Sequence, residues 1–383
     1  MNFNLDFDRN PFILFWEVTQ ACDLVCRHCR AVAMKNVNPH ELTTDEGKRL
    51  LDKINEFETP PIVIFTGGDI LKRGDIFELV EYAINLKLRV AVSPSGTPLL
   101  TKDKIKKFKD VGVERISFSL DGSNKYIHDS FRGVKGSFEA TMRGLEYAEE
   151  VGLSSQVNTT LTKWNYGDLE TMADFLKSLK IAMWDVFFLV PTGRATISDI
   201  ISPYQFEEAF ERIYNLARTV PYIIKTTAAT HYRRYQIQLM EKNGEEQEVK
   251  GAFKGKIGRG HPKAGFTKGV TDGRGIVFIS KTGDIFPSGF LPIKTGNVRK
   301  DDLLDIYRNN PIFQELRDPL KLKGKCGKCK FNEICGGSRA RAYSVTGDYL
   351  AEEPFCVHIP DNYDEKDSLS YKIEKFGIEN IKN

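Results

Sequence analysis

The stretch Phe12-Ile-Leu-Phe-Trp-Glu-Val18, followed three residues on by Cys22-Asp-Leu-Val-Cys26-Arg-His-Cys29, decides how this chain is read. A short apolar run bounded by polar residues reads as a buried strand. Three thiols at C-x3-C-x2-C spacing in the loop that follows make that loop a metal site rather than core. The first strand thus delivers chemistry at its C-terminal end.

Outward from this stretch the same unit repeats. Strand-like runs fall at residues 62–65, 88–92, 115–120, 155–161 and 183–190, and helical patterns at 43–57, 75–86, 102–110, 137–151, 168–179 and 203–217. The first helix is read as opening on Thr44, with Gly47 three residues on, a cap without a full capping box. Short apolar strands alternating with amphipathic helices imply right-handed crossovers and a parallel sheet. Six such units predict either a partial (β/α)6 barrel or an open doubly wound sheet. In both, sites gather at the C-terminal ends of the strands. The polar clusters fall there: the cysteine loop, Thr66-Gly-Gly-Asp69, Ser93-Pro-Ser-Gly96, Asp121-Gly122, Asn158 and Pro191-Thr-Gly-Arg194. The pattern changes near residue 220. A helix opening on His231, a Gly/Lys-rich stretch from Lys250 to Lys268 that could form a lid, a hairpin around Lys281-Thr-Gly-Asp284 and a polar tail complete the chain.

The seven cysteines fall into two groups, three at residues 22–29 and four at 326–356. Such clustering, with an odd total and no secretory pattern at Met1 to Asn10, argues against a disulfide framework. Basic residues number 55 against 52 acidic, a balance without a nucleic-acid signature. No apolar run is long enough for a membrane span, so a cytoplasmic location is expected.

Three thiolates can bind three irons of a four-iron cubane and leave the fourth without a protein ligand, which makes that iron a reaction site. A structural zinc would need a fourth ligand, for which only His28 is at hand. Cys326-Gly-Lys-Cys329, Cys335 and Cys356 supply four thiolates, which suit either a closed four-iron cluster or zinc.

On these residues the chain resembles the radical S-adenosylmethionine (SAM) superfamily, whose motif is C-x3-C-Φ-x-C. His28 stands where an aromatic is usual. Thr66-Gly67-Gly68-Asp69 resembles the Gly-Gly-Glu loop that binds the methionine amino group, with Asp in place of Glu. Ser119 resembles the fourth-strand serine that contacts the ligand. Arg132 resembles the arginine that pairs with the methionine carboxylate, and Asn158 is placed to bond the ribose. The second cysteine group resembles the SPASM extension, which carries auxiliary clusters. Ser288 and Cys335-Gly-Gly-Ser-Arg339 lack thiols of the full seven-cysteine form, so one auxiliary [4Fe-4S] cluster is expected, on Cys326, Cys329, Cys335 and Cys356. The resemblance divides the chain into a radical SAM core at 10–220, a connecting segment at 221–275 and an auxiliary-cluster domain at 276–383.

The resemblance implies two clusters, SAM as cofactor, and reductive cleavage of SAM to a 5′-deoxyadenosyl radical that takes hydrogen from a substrate. A low-potential donor such as ferredoxin or flavodoxin would supply the electron. Within the superfamily, residues 23–30, Glu41-Leu-Thr-Thr44 and residues 335–343 resemble the branch that trims tetrapyrrole side chains in haem biosynthesis. Propionates would then call for cations, and His231, Arg233, Arg234, Arg339 and Arg341 are the candidates. Tyr232, Tyr235 and Tyr343 are candidates for the final proton or hydrogen transfer. The alternatives are a maturase of a ribosomally made peptide and a non-cleaving iron–sulfur carrier or scaffold.

Overall fold

The computed structural model describes residues 6–244 and 270–381. The expected lid at 250–268 lies outside them. Strands β1 (Ile13–Glu17), β2 (Ile62–Thr66), β3 (Val90–Val92), β4 (Arg115–Ser119), β5 (Ser155–Leu161), β6 (Met183–Phe188) and β7 (Ile223–Thr227) pair in chain order, all parallel. β8 (Ile276–Ile279) adds in parallel to the free edge of β1, and β9 (Asp284–Phe286) and β10 (Gly296–Asn297) follow antiparallel. The result is one ten-stranded sheet in the order β10-β9-β8-β1-β2-β3-β4-β5-β6-β7.

Helices α1 (Thr44–Asn55), α2 (Ile76–Asn85), α3 (Lys102–Val111), α4 (Lys125–Arg132), α5 (Ser137–Glu150), α6 (Leu169–Leu176), α7 (Pro203–Leu216) and α8 (His231–Lys242) follow the strands. One face of the sheet is buried beneath helices. Trp16, Phe65, Val92 and Ile116 on one register row and Phe118, Val157 and Trp184 on the next join Leu51, Leu79, Phe108, Ala148, Met172 and Phe210 in a single core. The other face is mixed: Glu17, Thr66, Ser117, Ser119, Gln156, Asn158 and Asp185 share it with Phe15, Ile64, Ala91 and Phe187, and the polar side chains gather on β4 to β6 and at the C-terminal ends of β1 and β2. Helices outside and a polar lumen inside define a partial barrel, the architecture expected from the sequence. Sheets covered by helices on both faces read as continuous apolar runs; here β4, Arg115-Ile-Ser-Phe-Ser119, alternates instead and marks the lumen.

Two details differ from the sequence reading. α1 is capped by Thr43, one residue earlier than expected. Its side chain accepts from the Glu46 N–H at 3.2 Å while Glu46 accepts from the Thr43 N–H at 2.8 Å, so the capping box is complete. The parallel layer also runs past residue 220, because Ile223-Ile-Lys-Thr-Thr227 pairs along the whole of β6 from Met183 to Phe187.

Candidate active site

Cys22 and Cys26 are buried, and Cys29 is partly so. The loop that carries them is clamped from three sides. From β2, the Gly68 N–H donates to the Thr19 carbonyl at 2.8 Å and the Asp69 N–H to the Ala21 carbonyl at 2.7 Å. A Cβ on Gly67 would stand 2.5 Å from the Thr19 oxygen, and one on Gly68 only 2.4 Å from that of Ala21, so only glycine allows this approach. From α4, the Phe131 and Arg132 carbonyls accept from the Arg27 and Val25 N–H groups. After β6, Gly193 at positive φ lies against the Cys29 and Arg30 carbonyls, and the Arg194 N–H donates to the Cys29 oxygen.

The Asp69 carboxylate is fully buried and caps the turn at Ile70–Lys72. It accepts from the Leu71 and Ser95 N–H groups and from Thr97 Oγ1 at 2.8 Å. Burial pushes its carboxyl up from the usual range, against those hydrogen bonds. The carboxylate thereby ties the turn after β2 to the loop after β3, while the Asp69 backbone N–H reaches the cysteine loop. Ser119 and Asn158 sit side by side in register on the lumen face, where Asn158 Oδ1 accepts from Gln156 Nε2 at 2.7 Å. Arg132 is buried, ion-paired to the buried Asp121, and points a guanidinium N–H at Cys26 Sγ, 3.6 Å away. Burial pushes the Cys22 and Cys26 thiols up, while Arg132 favours the Cys26 thiolate. His28 packs its ring on Phe131, with centroids 4.4 Å apart, as the aromatic usual at this place would.

The second group converges although its members span thirty residues of sequence. Cys326, Cys329, Cys335 and Cys356 all line one cavity with His231, Arg234 and Glu353. Among the described residues no three Cys, His, Asp or Glu side chains are grouped to hold a metal ion. The four thiols line one cavity, which four-cysteine ligation of a closed four-iron cluster would fill. Burial pushes Cys326 up to about 11 and Cys335 up to about 12. Thiols so placed ionise only with positive charge at hand, and the cavity supplies it. Arg234 Nη2 lies 3.8 Å from Cys356 Sγ, and the Lys325 ammonium is buried against Ser370 and the Cys356 carbonyl.

Buried side-chain nitrogens without a partner, all donors on the arginines and one of the two on neutral His231, test whether these residues fit anionic groups. His28 Nδ1, Arg132 Nε and Arg194 Nε and Nη2 flank the first group. Both nitrogens of His231, Arg234 Nε, and Arg339 Nε and Nη2 flank the second. An unpaired buried polar group costs about 1–3 kcal/mol, and negatively charged clusters at both places would offset that cost. The residues fit.

The structure corrects one expectation. His231, Arg234, Arg339 and Arg341 are buried, and none of them reaches the lumen; Arg233 bonds the Ile334 and Val270 carbonyls. Arg341 pairs with Glu353 at 3.2 Å, and Arg339 donates to the Tyr349 and Ala351 carbonyls. The charges of the four buried residues serve the cysteine cavity and its scaffold, so these four are not propionate anchors. Tyr232 is buried against Phe210 and Tyr235, also away from the lumen. Tyr343 packs beside Val190 and Leu291. Ser288, where a further cysteine is usual, donates to Asp272 and accepts from the Phe290 and Leu291 N–H groups. Asp272 in turn accepts from the Ala340 N–H at 3.0 Å, so this corner is closed by hydrogen bonds.

Sequence reasoning missed the lumen's own charges. Arg30 pairs with the buried Glu17 at 2.7 Å and lies over the Phe278 ring, and Lys225 pairs with the buried Asp185 at 3.0 Å. The signal for both was parity. Glu17, Asp185 and Lys225 each occupy the polar alternate of a strand.

A helix-wrapped partial barrel with a three-cysteine loop at its mouth and a four-cysteine cavity beyond it defines a radical enzyme built on two iron–sulfur sites. The Radical SAM superfamily model matches residues 16–176. The chain is 40% identical to the "AdoMet-dependent heme synthase" of Methanosarcina barkeri, covering 91% of this chain and 97% of that one. It is equally identical to the protein of that name from Nitratidesulfovibrio vulgaris, covering 91% and 92%. Among solved structures, Streptococcus suis SuiB bound to its precursor peptide SuiA superposes with a TM-score of 0.67 at 19% identity, over 90% of this chain and 75% of that one. The chain belongs to the radical SAM superfamily. It is a radical SAM oxidoreductase with [4Fe-4S] clusters and S-adenosylmethionine as cofactors.

Proposed function

We propose that this enzyme acts on the propionate side chains of a tetrapyrrole in haem biosynthesis. The observation that carries this reading is the 40% identity to the Methanosarcina "AdoMet-dependent heme synthase" over nearly the full length of both chains. The lumen supports it, because the Lys225 ammonium and the Arg30 guanidinium stand there beside buried carboxylates.

In this reading Cys22, Cys26 and Cys29 hold the SAM-binding cluster, and Cys326, Cys329, Cys335 and Cys356 the auxiliary one. The first cluster supplies the electron that cleaves SAM when both are bound. Gly67 and Gly68 bring backbone to the cysteine loop, and Asp69 fixes that loop for the methionine amino group. Arg132 steadies the Cys26 thiolate and stands beside the methionine carboxylate, and Ser119 and Asn158 line the lumen for the nucleoside. Functionally, residues 10–220 form the core and 276–383 the auxiliary domain, joined through segment 221–275 and sharing one sheet. A low-potential ferredoxin or flavodoxin reduces the enzyme, in the reducing cytoplasm that free thiols call for. No described helix is long and apolar enough to cross a membrane.

The test is anaerobic turnover with reductant and SAM, offering an iron porphyrin that bears propionates and, separately, a short peptide. Formation of 5′-deoxyadenosine with loss of carboxyl groups from the porphyrin is expected. Turnover of the peptide with an unchanged porphyrin would sink the reading, and absence of 5′-deoxyadenosine with any substrate would leave a scaffold.

A further inference from the structure

We infer that Lys225 is the residue that anchors a substrate carboxylate at the far wall of the lumen, held in place by Asp185 and Thr227. The inference rests on the tetrapyrrole reading above and names the contact that would make it specific.

Three observations carry it. First, Asp185 is a carboxylate only 2% exposed, on the lumen face of β6. Burying an acid there is costly unless it is paired. Both its oxygens accept from Thr227 Oγ1, at 2.8 and 3.0 Å, and Oδ2 also accepts from Lys225 Nζ at 3.0 Å. Second, the Lys225 side chain is 48% exposed, unlike its partner. An ammonium has three donors, and Asp185 takes one, so two remain for a ligand. Asp185 thus acts as a buried clamp that aims a half-open cation.

Third, the register fixes where that cation stands. Ser119, Asn158, Asp185 and Lys225 are successive partners on β4, β5, β6 and β7, all on the lumen face. Three strand spacings separate the ends of this row, about 14 Å along the sheet. One end lies at the side chains proposed for SAM and the other at an ammonium. A rigid macrocycle with a carboxylate on one edge and a reacting side chain on another spans such a distance. Arg30 already spends its guanidinium on Glu17 and the Phe278 ring, and Lys281 also pairs with Glu17, at 3.4 Å.

The step assigned to Lys225 is recognition alone. It gives a charge-assisted hydrogen bond to a carboxylate that is not consumed, so Lys225 is a positioning residue. Removing such a contact weakens binding roughly 10- to 100-fold. It should raise KM far more than it lowers kcat, because the contact is the same in ground and transition states.

The experiment titrates coproporphyrin III, which carries four propionates, into the reconstituted enzyme and follows the Soret band, for wild type, Lys225→Gln and Lys225→Arg. The Gln variant should bind about 10- to 100-fold more weakly and the Arg variant should recover most of that loss. The tetramethyl ester should bind wild type no better than the acid binds Lys225→Gln. Equal binding of the acid by wild type and Lys225→Gln overturns the inference. So does tight binding of the ester by wild type, an arm that needs no variant to fold. Wild type that binds no porphyrin overturns the tetrapyrrole reading itself, and this inference with it.

Discussion

Gly68→Ala tests whether the cysteine loop is positioned by backbone approach. A Cβ at residue 68 would stand 2.4 Å from the Ala21 carbonyl oxygen and 2.7 Å from that of Gln20. Carbon and oxygen settle at about 3.3 Å, so the two loops must part by about 0.9 Å. The Gly68–Thr19 and Asp69–Ala21 hydrogen bonds, at 2.8 and 2.7 Å, would then lie beyond hydrogen-bond length. Two net bonds are worth about 1 kcal/mol each. Overpacking adds about 1–3 kcal/mol, for a total of about 3–5 kcal/mol, a large share of a typical folding free energy. The loss falls beside Cys22, so the first cluster should go while the second survives. Iron and sulfide analysis after anaerobic reconstitution should drop from about eight to about four irons per chain, with SAM binding lost. Gly74→Ala is the control, because nothing lies within 4 Å of a Cβ there. If Gly68→Ala kept its full iron content and bound SAM as wild type does, the clamp would not be what positions the cysteines.

Cys326→Ala should lose the other set of about four irons and leave SAM binding intact, which metal analysis and isothermal titration would show. Thr43→Ala removes the cap of α1 and should cost about 1 kcal/mol by urea unfolding, with no change in iron content. His128 is held neutral. Burial lowers it to about 3, and its Nδ1 accepts from the Asp121 N–H at 3.1 Å. A histidine depressed in the folded state takes up its proton on unfolding, so stability is full above pH 6.5 and falls as pH drops toward 3. Between pH 8 and pH 5 the loss is about 2 kcal/mol. His128→Asn, which keeps an acceptor at the same place, should flatten that slope in urea titrations at the two pH values.

Much of the fold was legible because β1 to β6 bury one face against helices, and that face is apolar except for Ser155 and Thr159 on β5. β7 was not legible for the same reason. Its lumen side carries Lys225 and Thr227, so Ile223-Ile-Lys-Thr-Thr227 never forms an apolar run, and only pairing with β6 makes it a strand. Helix α4 was read only as a motif around Arg132. It is eight residues long, and its identity lies in its Asn124 cap and its docking on Val25 and Arg27. Thr43 and Thr44 are equivalent by type, and only the reach of Glu46 back to residue 43 chooses between them. At the site, cysteine spacing told which residues belong together. It could not tell what the arginines serve. Arg234 reads as a solvated or substrate-facing cation and Arg339 as a substrate-facing or cluster-packing one, since charged residues are almost never fully buried unless paired. A cavity lined by four thiols is the exception that buries them.

The two cysteine groups are not independently hung on the barrel. The Cys29 carbonyl accepts from the Arg194 N–H, and six residues back along the chain is Phe188, the end of β6. The Phe188 and Leu189 carbonyls there accept from the Arg341 guanidinium, at 3.2 Å each. Arg341 pairs with Glu353, whose own N–H donates to Cys326 Sγ at 3.2 Å. Both charges are essentially inaccessible to water. Leaving either alone would cost about 3–5 kcal/mol, so this link is held far more firmly than a surface bridge would be. Thr192 adds a second tie, donating to the Phe290 carbonyl at 3.0 Å. A chain that spends buried charge on this connection fixes the separation of its two cysteine groups. A radical enzyme has reason to do so. The substrate must present one bond to the mouth of the barrel, at a distance that a loose tail could not keep.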